Sequence, residues 1–77
     1  MIGYFDGSCE PINPGGTARY GWAILDGGVV KYSGWGLIGE GDGMTNNIAE
    51  YYALIRLMRF IAEYTPDVKE IRGDSKM

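Results

Sequence analysis

From residue 2 to about residue 37 the apolar side chains of this 77-residue chain tend to recur at every second position, and from residue 45 to about residue 64 they recur at helical spacing. A strand period that gives way to a helix period limits the chain to folds in which several strands precede one helix. Residues 2–9 read as a first strand, with Ile2, Tyr4 and Asp6 on one face. Asn13-Pro14-Gly15 reads as a turn, with Pro in the second position and Gly in the third, where a positive φ is needed. Residues 19–25 read as a second strand, with Tyr20, Trp22 and Ile24 on one face, and Asp26-Gly27-Gly28 is a strong hairpin signal. A third strand is expected from about Val29 to Leu37, in which Gly34 and Gly36 mark bulges or close backbone approach.

Gly39 to Gly43 reads as a flexible acidic loop. A helix is expected from Thr45 or Asn46 to about Tyr64, with Ile48, Tyr52, Ile55, Met58 and Ala62 as its apolar stripe and Ala49 and Ala53 widening it. Thr65-Pro66 ends it, because the residue before a proline avoids helical geometry. A fourth strand follows from Val68 to Gly73. The fold class is therefore α/β, a mixed sheet of order βββαβ within one small domain spanning residues 1–77. Three strands in a meander leave the third parallel to the first. A right-handed helical crossover then sets the fourth beside the first, also parallel. That arrangement carries Asp6 and Asp74 on neighbouring strands and lets the helix aim Glu50, in its first turn, at the same place.

The absence of histidine removes His-based metal sites and Ser-His or Cys-His catalysis. Cys9 is the one cysteine, so disulfide staples are excluded and a reducing compartment is expected. No apolar run approaches the roughly 18 residues of a membrane span, and Asp6 sits where a signal peptide needs apolar residues. A cytoplasmic protein with no membrane partner is expected. The net charge of −3 runs against a nucleic-acid partner unless bound cations offset the carboxylates or a basic region lies elsewhere.

Each of the three carboxylates has a structural explanation of its own. Asp6 can be a strand-end acid facing water, Glu50 can close a capping box begun by Asn47, and Asp74-Ser75 can be turn chemistry. Together they carry more weight, because the topology converges them on one end of the sheet. Clustered carboxylates repel unless a cation neutralises them. An all-oxygen site favours Mg²⁺ or Mn²⁺, and two such ions can activate a water and stabilise the leaving oxygen of a phosphodiester.

At these residues the sequence resembles type 1 ribonuclease H. Asp6-Gly7-Ser8-Cys9 with Asn13-Pro14-Gly15 looks like the family's first-strand motif and its turn. Thr45-Asn46-Asn47-Ile48-Ala49-Glu50 looks like its helix-start motif, and Asp74-Ser75 like its third. The resemblance implies a ribonuclease H-like sheet truncated after the fourth strand. It implies an endonuclease that cuts the RNA strand of RNA–DNA hybrids by a two-metal-ion mechanism. Asp6, Glu50 and Asp74 would be catalytic and would hold two Mg²⁺ or Mn²⁺ ions, with Asp6 between them and Glu50 also near the RNA 2′-hydroxyl. Gly7, Ser8, Cys9, Asn13, Asn46 and Asn47 would contact the hybrid. Asn46 and Asn47 can instead be helix caps, and Cys9 a small core residue. Family members continue past the third motif into a further strand, helices, a basic region in many members and a late Asp. A non-catalytic module is the alternative: it binds metal or nucleic acid weakly, or forms a homo-oligomer through the open edge of the fourth strand.

Overall fold

The computed structural model describes residues 1–73. Its elements are β1 (Ile2–Glu10), β2 (Gly15–Asp26), β3 (Val29–Gly41), α1 (Asn46–Tyr64) and β4 (Glu70–Gly73). They form a mixed sheet of order β3-β2-β1-β4, in which β1 is antiparallel to β2 and parallel to β4. This is the expected βββαβ topology.

The β2–β3 hairpin is longer than its side chains suggest. β2 starts at Gly15, and β3 continues to Gly41 through residues read as a loop, with Gly15 opposite Gly41 and Thr17 opposite Glu40. Strand pairing needs only backbone N–H and C=O groups, so an acidic, glycine-rich stretch can still join the ladder. Gly34 and Gly36 do not mark bulges, because the register shifts lie at Gly15/Thr17, Ala18/Arg19 and Ile24/Leu25. They are sites of close approach instead. Gly34 faces Trp22 and Gly36 faces Tyr20, and an added Cβ would lie 2.6 Å from the Trp22 ring and 2.9 Å from the Tyr20 ring.

One face of the sheet is set by Gly3, Phe5, Gly7 and Cys9 of β1 and by Ala18, Tyr20, Trp22 and Ile24 of β2, which pair across the hairpin. α1 covers this face. The buried cluster is Trp22, Ile24 and Leu57, with Phe5, Tyr20, Phe60 and Ile61 packed around it. Aromatic contacts extend it, with ring centroids 4.7 Å apart for Trp22–Phe60 and 5.0 Å for Tyr20–Tyr52. On the helix the fully buried residues are Ala49, Ala53 and Leu57, whereas Ile48, Ile55 and Met58 of the expected stripe are about half exposed. The cause is the pair of glycines in β1. They bring the helix so close to the sheet that only alanine fits over Gly7, and Leu57 meets the Gly3 position at 3.2 Å. Leu57→Ala is expected to lower the unfolding free energy by about 3 kcal/mol, measured by urea titration, because the cavity it leaves is walled by residues that are already packed.

β4 is a short strand whose four residues are all exposed. Its Arg72 guanidinium donates to the Glu70 carboxylate, and that hydrogen bond, with the attraction of the charge, holds the Glu70 pKa below its ordinary value. The stabilisation is present above the ordinary carboxylate range and is lost as pH falls through the lowered value. In full solvent such a pair contributes little.

Candidate active site

Gly7 fixes the centre of the site. A Cβ there would lie 2.2 Å from the Ala49 carbonyl carbon and 2.3 Å from the Glu50 nitrogen, so strand backbone rests directly on helix backbone. Asp6 precedes that contact in β1 and Glu50 belongs to it. Alternation along the strand turns Asp6 to the face not covered by α1, where it is exposed. The two carboxylates border separate hollows beside the crossing. Glu50 lines one of about 300 Å³ with Phe5, Asn47, Tyr51 and Leu54. Asp6 lines one of about 200 Å³ with Gly7, Ser8 and Arg19. Asp74 lies outside the described residues. It follows Gly73, the last described residue of β4, which pairs with Phe5. Among the described residues no three potential metal ligands cluster.

The helix start differs from the capping expectation. Thr45 is the N-cap, and its hydroxyl accepts from the Ile48 amide at 3.1 Å. Asn47 is therefore inside the helix, and Glu50 lies past the first turn, which contains no acid. With the cap at Thr45, two residues before Asn47, the third helical position is Ile48, whose amide the Thr45 hydroxyl takes, and no capping box reaches Glu50. Its carboxylate instead accepts from the Asn46 side-chain amide at 3.1 Å. The Asn46 backbone N–H donates to Asn13 Oδ1 at 3.1 Å. The turn after β1 is thus tied to the helix start, and a 2.9 Å bond from the Gly15 amide to the Met44 carbonyl reinforces it. The structure brings Asn13, Asn46 and Glu50 together in this way, and Asn47 joins them at the Glu50 hollow.

Ser8 is half buried at the Asp6 hollow. Cys9 is buried, and its thiol donates to the Ile12 carbonyl at 3.2 Å and the Met44 carbonyl at 3.5 Å. Its side chain therefore braces the turn from within the core. Sequence reasoning missed Arg19. It pairs with Ser8, falls on the same face as Asp6 and borders the same hollow. The hairpin register places it there, and counting back from the turn with the correct start of β2 would have found it. Among the described residues Arg19 is in no ion pair.

No protein-family model matches the chain. A ribonuclease HI of Halobacterium salinarum is 43% identical over 76 residues, a match that covers 96% of this chain and 35% of that protein. Among solved structures, the LC11 ribonuclease H1 crystallised in complex with an RNA/DNA hybrid superposes with a TM-score of 0.77 at 34% identity, covering 97% of this chain. The ribonuclease H1 of the halophilic archaeon Halobacterium salinarum superposes with a TM-score of 0.76 at 38% identity. In sequence and in fold, the chain matches part of type 1 ribonuclease H. It spans 54% of each of those solved ribonuclease H1 chains. The mixed sheet and single helix described above are what superposes on those ribonuclease H1 structures.

Proposed function

We propose that this chain carries the Asp6–Glu50 side of the active site of a hybrid-specific ribonuclease H, an endonuclease that hydrolyses the RNA strand of RNA–DNA hybrids. The observation that carries the reading is the crossing at Gly7, where the strand bearing Asp6 touches the helix at Glu50. The hybrid bound by the LC11 relative supports the choice of substrate.

The donor set suits a hard cation. Asp6 and Glu50 offer only oxygen, there is no histidine, and the one thiol is engaged in the core. Asp6, Glu50 and Asp74 would hold Mg²⁺ or Mn²⁺, two ions when substrate is bound. Ions held there supply charge neutralisation for the attacking water and the leaving oxygen. The protein's own groups do the rest. Asn46 orients the Glu50 carboxylate, and Asn13 fixes Asn46. Exposed Asp6 leaves its hollow open to a phosphodiester, and Arg19 supplies a guanidinium that can pair with a neighbouring phosphate. Asn47 and the Gly7-Ser8 backbone complete the contact with the hybrid, and Glu50 meets the 2′-hydroxyl that distinguishes RNA from DNA.

The test is incubation with a hybrid labelled in its RNA strand. Cleavage is expected with Mg²⁺ or Mn²⁺, leaving 5′-phosphate and 3′-hydroxyl ends, and none after chelation or on duplex DNA. Cleavage that persists in excess chelator would defeat the metal assignment. A second reading has its own support: α1 exposes Tyr51, Ile55 and Met58, and every residue of β4 is exposed. These surfaces suit self-association, and sedimentation would show a concentration-dependent oligomer in a chain that does not cleave the hybrid. Cytoplasmic placement belongs to the same proposal, with cell fractionation as its check.

A further inference from the structure

A cavity of about 480 Å³ opens between the C-terminal half of α1 and the β2–β3 hairpin, bordered by Trp22, Gly34, Arg56, Arg59, Glu63 and Tyr64. It lies away from the carboxylates, since Arg59 is roughly 13 Å along the helix from Glu50. Three features give it chemistry. The first is a flat border on the sheet side: Gly34 has no side chain, so its backbone lies close against the Trp22 ring edge and no side chain projects from that position into the cavity. The second is an aromatic wall, where Phe60 joins Trp22 at 4.7 Å and Tyr64 at 4.6 Å. The third is positive charge. Arg56 is held over the Tyr20 ring at 5.4 Å and the Tyr52 ring at 5.9 Å, so its position is set before any ligand arrives. Among the described residues neither Arg56 nor Arg59 is in an ion pair, although Glu63 borders the same cavity.

We infer that this cavity binds a nucleotide unit, with the base against the aromatic wall and the phosphate on the two arginines. Bases stack on aromatic side chains with little regard to sequence. A guanidinium grips phosphate through two parallel hydrogen bonds, which an ammonium cannot do. An apolar ligand would leave both cations unanswered, and a bare phosphate would leave the rings unused. The cavity is within the usual size of small-ligand sites. The same chemistry is presented by a free mononucleotide and by a single strand running past the domain.

The test uses the intact chain and follows tryptophan emission, because Trp22 and Trp35 both border the cavity. Adenosine 5′-monophosphate, adenosine and a short oligodeoxyadenylate are titrated separately. Saturable quenching by the monophosphate, with adenosine far weaker, is expected. An oligonucleotide that binds much more tightly than the monophosphate identifies a strand as the source, and equal affinity identifies a free nucleotide. Arg59→Gln removes an exposed charge without touching the core and should weaken binding roughly tenfold or more, the size of one charge-assisted hydrogen bond. Tyr64→Ala, also exposed, should weaken it too. Asp6→Asn should leave it unchanged, which separates this site from the nuclease reading. No saturable response to either phosphate-bearing probe would overturn the proposal. So would equal binding of adenosine and its monophosphate, or unaltered affinity in both cavity variants.

Discussion

Replacing Gly7 by alanine is expected to lower the unfolding free energy by about 3 kcal/mol or more, a large share of what a chain this short can have. The new methyl group would sit 2.2 Å from the Ala49 carbonyl carbon and 2.5 Å from its oxygen. Both are backbone atoms, so no rotamer change can clear them. Either α1 lifts off β1 or the strand bends, and each separates Ala49 and Ala53 from the sheet they cover. Overpacking a well-filled site typically costs ~1–3 kcal/mol, and a clash with helix backbone belongs at the top of that range. A domain this size has only ~0.05–0.15 kcal/mol of stability per residue to lose. Gly3→Ala is the control. Its methyl group would meet the end of the Leu57 side chain at 3.2 Å, which can yield. Urea titrations of the two variants should therefore differ widely. Equal stabilities would mean that the helix does not press on the strand at Gly7.

Asp6→Asn is expected to do the reverse, removing function and sparing the fold. Asp6 is exposed, so its replacement should leave stability within about 0.5 kcal/mol of the parent. The amide keeps the size of the carboxylate but loses the charge that a divalent ion needs. Mn²⁺ binding, followed through the paramagnetic signal of the free ion, should weaken by at least the ~10–100-fold that accompanies loss of even an outer partner of a metal site. Hybrid cleavage should fall with it. Retention of both Mn²⁺ binding and cleavage by a folded Asp6→Asn chain would remove Asp6 from the mechanism.

Topology was legible because it depends on where the repeat changes from strand to helix, and that change survives errors at element ends. The length of the β2–β3 hairpin was not. Residues 39–41 pair through their backbone, and backbone pairing leaves no mark on side-chain pattern. The buried helix face was misjudged for a related reason. The sequence favours its large apolar side chains as the core stripe, but Gly3 and Gly7 bring the sheet so near that Ala49 and Ala53 take that place. Of the candidate site, Asn13, Asn46 and Glu50 could be named from their motifs, yet the hydrogen bonds joining them follow from where the cap falls. With the cap at Thr45, Asn46 is free to serve both neighbours. Arg19 escaped notice because its place depends on the register of β2, whose start was set four residues too late.

Asn46 is engaged at both ends, its main chain by Asn13 and its side chain by Glu50. A ligand that pulls on the turn therefore tugs the acid through a single intervening residue. Under the proposed function grip and chemistry would share this linkage, so a mis-seated strand would disturb the group proposed to act on it.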